Sequence, residues 1–219
     1  MFDYEGIQFH WLGHDGFRID GYNKKTIYID PFQLQKAQQN KNDADILLVT
    51  HNHFDHLSIE DLKHVISHNT SIVAADECIE QLKGLKVKEL KNVSPGDKLE
   101  IEDIPIEIVP AYNTNKKFHP KDDKKVGFIF TINNQRIYHA GDTDLIPEME
   151  SVNVDIALVP VSGTYVMTSD EAAQAVNDLI KPGKLVIPMH YGSIVGTEKD
   201  AERFRDLVKI CETKILDRE

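Results

Sequence analysis

Residues 45–56 read Asp45-Ile46-Leu47-Leu48-Val49-Thr50-His51-Asn52-His53-Phe54-Asp55-His56. The first half of this stretch is a short apolar run rich in branched residues, which predicts a buried strand. The second half places four potential metal ligands within six positions. Because His51 and His53 are two positions apart, their rings would point the same way on extended backbone and could share one ion. Asp55 and His56 follow where the chain must turn, so we expect them to bind a second ion.

The ligand types in this stretch indicate which metals could bind. In hydrolases with two metal ions, the ions typically lie about 3.5–4 Å apart. A mixture of imidazole and carboxylate suits zinc, manganese or iron better than calcium or magnesium. We therefore predict two divalent ions, with zinc as the first choice and manganese or iron as alternatives. A polar surface loop with chance histidines is the alternative interpretation, and the density of ligands directly after a predicted buried strand disfavours it.

Composition limits the functional class. The chain has 219 residues and a formal net charge of −11, so a large basic surface for nucleic acid is not expected. The negative net charge does not exclude a small phosphorylated or carboxylated substrate, because bound metal ions would supply a strong local positive charge. The sequence does not indicate whether the protein forms a homo-oligomer.

Targeting and redox signals are few. No apolar run approaches the ~20 residues of a membrane span. The first five residues lack the basic region and apolar core of a signal peptide. Cys78 and Cys211 have no metal-type spacing and fit a reducing compartment, although a single disulfide between them stays open. We therefore predict a cytoplasmic protein.

The second half of the chain repeats the pattern of the first at an offset of about 110 residues, far longer than a solenoid repeat. Strands predicted over 17–20 and 26–29, joined by a turn at 21–25, correspond to strands over 127–132 and 136–139. The apolar run 155–160 corresponds to 45–50. Capping signals predict helices that start after Ser58, Thr168 and Thr197, and the last of these would carry Phe204, Leu207, Val208 and Ile210.

Two similar halves of strands and helices predict an α/β fold with two sheets face to face and helices outside, a four-layer αββα sandwich. Residues 1–219 would then form a single domain. The alternative is two independent small domains, which we disfavour because candidate ligands come from both halves.

The second half offers further ligands at strand ends. Asp142 follows the predicted strand 136–139, and Gly141 before it would allow a sharp turn. Because a carboxylate can bridge two cations, we predict Asp142 as the bridge. His190 follows the apolar strand 184–189 and would complete the second ion together with Asp55 and His56.

The pattern H-x-H-x-D-H over residues 51–56 is also the signature of the metallo-β-lactamase superfamily, which this sequence resembles over nearly its whole length. Members place a G-D motif and a late histidine after strands in the second half, where Asp142 and His190 stand. The N-terminal segments 11–14 and 29–32 resemble the branch that includes ascorbate-6-phosphate lactonase and N-acylphosphatidylethanolamine phospholipase D. The resemblance implies the αββα fold and metal-dependent hydrolysis.

The third ligand of the first ion departs from the family pattern. Many relatives place a histidine soon after a strand in the middle of the chain, whereas residues 109–113 here contain none. The nearest candidate is His119, and we predict that its loop folds back over the site. The alternative is a surface histidine in a basic loop, which would leave the first ion with His51, His53 and the bridge.

Several other residues could support the site. His14 lies in a predicted turn and could orient Asp30, contact substrate or be structural. Asp30 is predicted to fix the tautomer of a histidine. His139 lies in a strand and is expected to pack in the core or support a ligand, with a direct role in the site as the alternative. Tyr165 and Met167 are expected to line the pocket. The remaining histidines are interpreted as ordinary surface or helix residues: His10, His64 and His68.

These features favour hydrolysis. Bound ions would lower the pKa of a water molecule toward about 7, so that hydroxide attacks a carbonyl or phosphoryl centre. Asp55 is the predicted catalytic residue, accepting a proton while it binds metal. A nucleophilic serine is disfavoured because no G-x-S-x-G occurs. Ester, lactone and phosphoester bonds stay open, with a slight preference for a lactone or a phosphorylated small molecule. The alternatives are an iron redox protein of the same fold and a non-catalytic metal-binding protein.

Overall fold

The computed structural model describes residues 1–21 and 24–219, within which the chain forms two seven-stranded sheets. The strands of the first sheet follow one another in chain order. They are β1 (Phe2–Tyr4), β2 (Ile7–Gly13), β3 (Gly16–Asp20), β4 (Thr26–Ile29), β5 (Ile46–Val49), β6 (Ser71–Ala75) and β7 (Glu89–Val93). Strands β1 to β4 pair antiparallel, and β4 to β7 pair parallel.

The second sheet repeats this arrangement. Its strands are β8 (Lys98–Ile101), β9 (Ile104–Pro110), β10 (Val126–Ile132), β11 (Gln135–His139), β12 (Ile156–Pro160), β13 (Leu185–Met189) and β14 (Glu212–Thr213). Strands β8 to β11 pair antiparallel and β11 to β14 pair parallel. The predicted repeat is therefore confirmed. The turn predicted at 21–25 includes Tyr22 and Asn23, which lie outside the described residues, whereas β3 and β4 pair as expected.

Helices cover the outer faces of the sheets. They are α1 (Ile59–Val65), α2 (Ile79–Leu82), α3 (Ser169–Gln174), which continues as a π-helix over Ala175–Ile180, and α4 (Glu198–Leu207). Short 3₁₀ turns occur at Asp76–Cys78, Lys121–Asp123 and Pro147–Ser151. The prediction of a four-layer αββα sandwich is confirmed.

Local sequence explains where the helices begin. Ser58 accepts a hydrogen bond from the backbone of Asp61, and Thr168 and Glu171 form a reciprocal capping box. The prediction that the last helix carries Val208 and Ile210 is wrong. Val208 has extended backbone because the chain leaves the helix to add β14 beside β13, and Ile210 is 47% exposed.

One continuous hydrophobic cluster takes side chains from both sheets, including Phe9 and Phe17 from the first and Phe128 and Phe130 from the second. The shared core supports the single-domain interpretation of residues 1–219, which stays a prediction.

None of the helices formed by residues 1–21 and 24–219 has the length and apolar character needed to cross a membrane.

The carboxyl ends of the parallel strands meet at one edge of the sandwich. His51 follows β5, Asp142 follows β11 after two residues, and His190 follows β13. Gly141 has a φ of +62°, and a Cβ there would lie 2.7 Å from the Val126 carbonyl oxygen, so a larger residue would push the two strands apart. The fold thus gathers the predicted ligands of both halves at one place.

Candidate metal centre

Three imidazoles form a first cluster, defined as His51, His53 and His119. The His51 Nε2 and His53 Nδ1 atoms lie 3.0 Å apart, and His119 Nε2 lies 3.3 Å from His53 Nδ1. His119 is only 1% exposed, so it is not a surface histidine. Its Nδ1 lies 3.0 Å from Asn113 Oδ1 and 3.3 Å from the Tyr165 carbonyl oxygen. The Nδ1–H group donates a hydrogen bond to these oxygens, so that the lone pair of Nε2 faces the cluster.

A second cluster, defined as Asp15, Asp55, His56 and His190, joins two overlapping groups of converging donor atoms: His56 and His190 belong to both groups, Asp15 to one and Asp55 to the other. The His56 Nε2 atom lies 3.5 Å from Asp15 Oδ2 and 3.9 Å from Asp55 Oδ2. His190 Nε2 lies 3.9 Å from the same Asp15 oxygen. All four side chains are buried. The second cluster therefore combines imidazole nitrogens with carboxylate oxygens in a water-excluded position.

Asp142 lies between the two clusters. Its Oδ2 atom is 3.2 Å from His119 Nε2 and 4.0 Å from His51 Nε2 in the first cluster. The same oxygen is 3.3 Å from His190 Nε2, and Oδ1 is 3.4 Å from His56 Nε2. One carboxylate thus approaches four imidazoles, two from each cluster.

Buried polar atoms without hydrogen-bond partners indicate whether these residues fit a metal. Among the described residues, several buried side-chain atoms of the second cluster and of Asp142 lack a hydrogen-bond partner: His56 Nε2, His190 Nε2, Asp142 Oδ1 and both oxygens of Asp15. Buried polar groups are normally hydrogen-bonded, so such a concentration requires an explanation. Imidazole nitrogens and carboxylate oxygens are the donors that zinc, manganese and iron use. The residues present therefore fit divalent cations.

A ring of supporting hydrogen bonds fixes the orientation of the imidazoles. Asp30 accepts a 2.8 Å hydrogen bond from His56 Nδ1, as the prediction for Asp30 requires, and also accepts from Thr50. Thr50 Oγ1 lies 3.0 Å from His51 Nδ1, and Ser162 Oγ lies 2.9 Å from His190 Nδ1. Each ring therefore turns its Nε2 toward the centre. Sequence reasoning missed Thr50 and Ser162, whose only signal is a hydroxyl at or just after a strand end.

His14 and Asp15 form the turn between β2 and β3. His14 Nε2 donates a 3.1 Å hydrogen bond to Asp55 Oδ2, so the interpretation that His14 orients Asp30 is wrong, since Thr50 and His56 occupy that carboxylate. Sequence reasoning also missed Asp15. Its one signal is its position beside His14.

His139 supports this turn from the core. Its Nε2 donates a 2.9 Å hydrogen bond to the Asp15 carbonyl oxygen, and its Nδ1 accepts from the Gly141 backbone. The expectation that His10 is an ordinary surface residue is wrong. His10 is partly buried in β2, with its Nδ1 2.8 Å from Glu219 Oε2.

Burial and charge set the protonation of the centre. Burial lowers the pKa of His51 well below its usual value and that of His119 to about 4, so these rings are neutral at pH 7. Burial would also lower the pKa of His56 and His190, but the Asp142 carboxylate raises both. Burial alone would raise the pKa of Asp142, but His190 and His56 hold it well below its usual range. The rings of the second cluster are thus ion-paired.

The remaining carboxylates differ from each other. Complete burial raises the pKa of Asp15 well above its usual value. Burial also acts to raise the pKa of Asp55, but the hydrogen bond from His14 lowers it below the usual value. Asp55 is therefore ionised at neutral pH.

A cavity of about 380 Å³ opens onto the centre. Polar and apolar side chains line it: His53, Phe54, Asp55, Phe118, His119, Asp142, Tyr165 and Ile194. The Phe118 and Tyr165 rings meet edge to face with centroids 4.4 Å apart. Tyr165 thus lines the cavity as expected, whereas Met167 is fully buried in the core and the expectation for it is wrong. The opening is apolar around a polar floor.

Comparisons with known proteins assign the chain to a family. Residues 8–190 match the family profile described as beta-lactamase superfamily domain. The chain is 35% identical to a UPF0173 metal-dependent hydrolase of Thermoplasma acidophilum, over 97% of this chain and 95% of that protein. It is 33% identical to another from Methanopyrus kandleri, over 89% and 88% of the two chains.

A solved structure is similar over the same length. The crystal structure of a candidate metal-dependent hydrolase from Parabacteroides distasonis superposes with a TM-score of 0.83 at 32% identity, covering 97% of this chain and 94% of that chain. The resemblance to the metallo-β-lactamase superfamily is therefore confirmed. The chain belongs to this superfamily and, within it, to the UPF0173 family of metal-dependent hydrolases.

Proposed function

We propose that this centre holds two divalent ions and hydrolyses an ester, lactone or phosphoester bond of a small molecule. His51, His53 and His119 would hold the first ion, and Asp55, His56 and His190 the second, with Asp142 bridging them. The observation that carries the proposal is the Asp142 carboxylate, which lies 3.2–4.0 Å from imidazole nitrogens of both clusters. When bound, such ions polarise the scissile group and lower the pKa of water toward about 7.

Asp55 is our candidate for proton transfer. It lines the cavity, is 9% exposed and is ionised, so it can accept a proton from an attacking water molecule. His14 donates to one oxygen of Asp55 and thereby holds the carboxylate in place.

The cavity opening supports a substrate with an apolar acyl or aryl group. Phe54, Phe118 and Ile194 are exposed at the opening by 68%, 54% and 39%. Among the described residues that line the cavity, none is Lys or Arg. An anionic group would therefore depend on the metal ions alone, whereas an apolar group next to the scissile bond would gain contact with three large side chains.

The test uses model substrates on the metal-loaded chain. We expect hydrolysis of p-nitrophenyl esters, of bis-p-nitrophenyl phosphate or of both, and its loss on adding a chelator. His53→Ala should abolish activity, whereas His68→Ala, on an exposed residue, should leave it unchanged. Equal activity of the two variants would contradict the proposed site.

Elemental analysis separates the alternatives. Zinc or manganese with hydrolysis supports the proposal, iron without hydrolysis favours a redox protein, and bound metal without either activity favours a binding protein. The narrower resemblance to the ascorbate-6-phosphate lactonase branch stays a prediction. The cytoplasmic location also stays a prediction; it is supported by two cysteines that form neither a disulfide nor a metal-type pair.

A further inference from the structure

The turn between β2 and β3 is fixed on several sides. Gly13 and Gly16 pair across it, and His14 adopts a left-handed φ of 52°. The His14 carbonyl oxygen accepts from Trp11 Nε1 at 2.9 Å and from the His190 backbone at 3.0 Å. His139 holds the Asp15 carbonyl oxygen. The Asp15 side chain is therefore held against the second cluster by a turn that has little freedom to move.

No hydrogen bond within the described residues accounts for the burial of the Asp15 carboxylate. The residue is fully buried, and neither oxygen makes a hydrogen bond within the described residues. The nearest nitrogens, His56 Nε2 and His190 Nε2, lie 3.5 Å and 3.9 Å from Oδ2, beyond the usual N–H···O range of about 2.7–3.2 Å. Both nitrogens also lack hydrogen-bond partners.

These separations match those of ligands that share an ion. Two ligand atoms that each lie about 2.0–2.2 Å from one ion are separated by roughly 3–4 Å. Asp15, His56, Asp142 and His190 each offer an atom within 4.8 Å of the others. A proton donor to substrate would line the cavity, which Asp15 does not.

We propose, resting on the dinuclear centre proposed above, that Asp15 is a direct ligand of the second ion. The second ion would then have two imidazoles and three carboxylates around it, from Asp15, Asp55 and Asp142. The first ion would have three imidazoles and only Asp142.

The donor sets imply different metal preferences. Carboxylate oxygens suit Mn²⁺, while imidazole suits Zn²⁺. Because a given set of such ligands binds Zn²⁺ more tightly than Mn²⁺, the preference for Zn²⁺ should be smaller at the second site than at the first. Asp15 would enlarge this difference, because it would add a third carboxylate to the second ion beside Asp55 and Asp142.

The experiment titrates the metal-free full-length chain with Mn²⁺ and, separately, with Zn²⁺ by calorimetry. The variant is Asp15→Asn, which keeps the size of the side chain and removes its charge. The matched control is Asp20→Asn, at the opposite end of β3, where the carboxylate pairs with Arg18. Wild type and Asp20→Asn should bind two Mn²⁺ ions. Asp15→Asn should bind one Mn²⁺ ion as wild type does and the second with an affinity at least about tenfold lower. Loss of a group that only supports a metal ligand already lowers metal affinity by about tenfold or more.

Each outcome has a separate meaning. If wild type binds fewer than two ions, the dinuclear proposal fails and this inference fails with it. If wild type binds two and Asp15→Asn binds both equally well, only the role of Asp15 is overturned.

A measurement on wild type alone covers the case in which the variant does not fold. As Mn²⁺ is raised in excess over a fixed concentration of Zn²⁺, elemental analysis should find that manganese replaces one zinc ion per chain before it replaces the other. Replacement of both zinc ions over the same range of concentration would contradict an oxygen-rich second site.

Discussion

The two clusters differ in exposure and charge although they share Asp142. The first cluster borders the cavity, where His53 is half-buried, and its rings are neutral because burial lowers their pKa values. The second cluster is buried, and Asp142 raises the pKa values of His56 and His190. Without metal, the first cluster is thus a set of neutral imidazoles, and the second is a network of ion pairs.

This difference determines what a metal ion must displace. An ion that enters the first cluster meets neutral imidazoles whose Nε2 or Nδ1 atoms already converge. An ion that enters the second cluster must release protons from His56 and His190, because only neutral imidazole binds metal. Protons in the metal-free chain therefore take the place that a cation would occupy among the carboxylates.

The largest expected effect comes from Asp142→Ala, because this residue contacts both clusters. We expect both ions to bind weakly and hydrolysis to fall by about a thousandfold, equivalent to about 4 kcal/mol of transition-state stabilisation. Metal content by elemental analysis and kcat/KM for a p-nitrophenyl ester measure the two effects. The control is Asp97→Ala in an exposed turn. Retention of both ions in Asp142→Ala would show that the two clusters are independent.

The ligands that follow strands could be predicted from local sequence. His51, His53, Asp55 and His56 lie within one turn after β5, so their spacing alone determines which side chains meet. His190 follows β13 directly, where parallel strands bring side chains to one edge. The repeat of the two halves was visible because both hairpins and both parallel strands use the same apolar pattern.

The rest depends on contacts between distant segments. The His119 loop is held by Asn113 and the Tyr165 backbone, which no local pattern reveals. Asp15 enters the second cluster because His139 and His190, more than a hundred residues away in sequence, bond to the turn that carries it. Met167 lies in the core although its neighbour Tyr165, two residues earlier, lines the cavity.

A smaller effect is expected from pH. Because the pKa values of His56 and His190 are raised, these rings stay protonated to higher pH, and affinity at the second cluster should rise with pH until the rings lose their protons. The slope should be up to about tenfold per pH unit for each proton displaced. In the first cluster the pKa of His119 is about 4, so affinity there should change little between pH 6 and 8.

Calorimetry at pH 6, 7 and 8, in buffers of different ionisation enthalpy, measures both affinity and proton release. We expect one ion to bind with little proton release and the other to release protons. His190→Ala should reduce that release. Equal pH dependence of the two ions would remove the distinction between the clusters.

The smallest effect is expected at the cavity opening, which meets the first cluster through His53 and His119. Phe118→Ala removes a ring that is 54% exposed, so only part of its apolar surface can contact substrate. We expect KM for an ester with an apolar acyl group to rise about fivefold, equivalent to about 1 kcal/mol, with kcat and metal content unchanged. Ile210→Ala, another exposed apolar residue that does not line the cavity, is the control. A loss of bound metal in Phe118→Ala would instead mean that this ring holds the His119 loop in place, since the two residues are adjacent, and that the first cluster depends on the opening for its geometry.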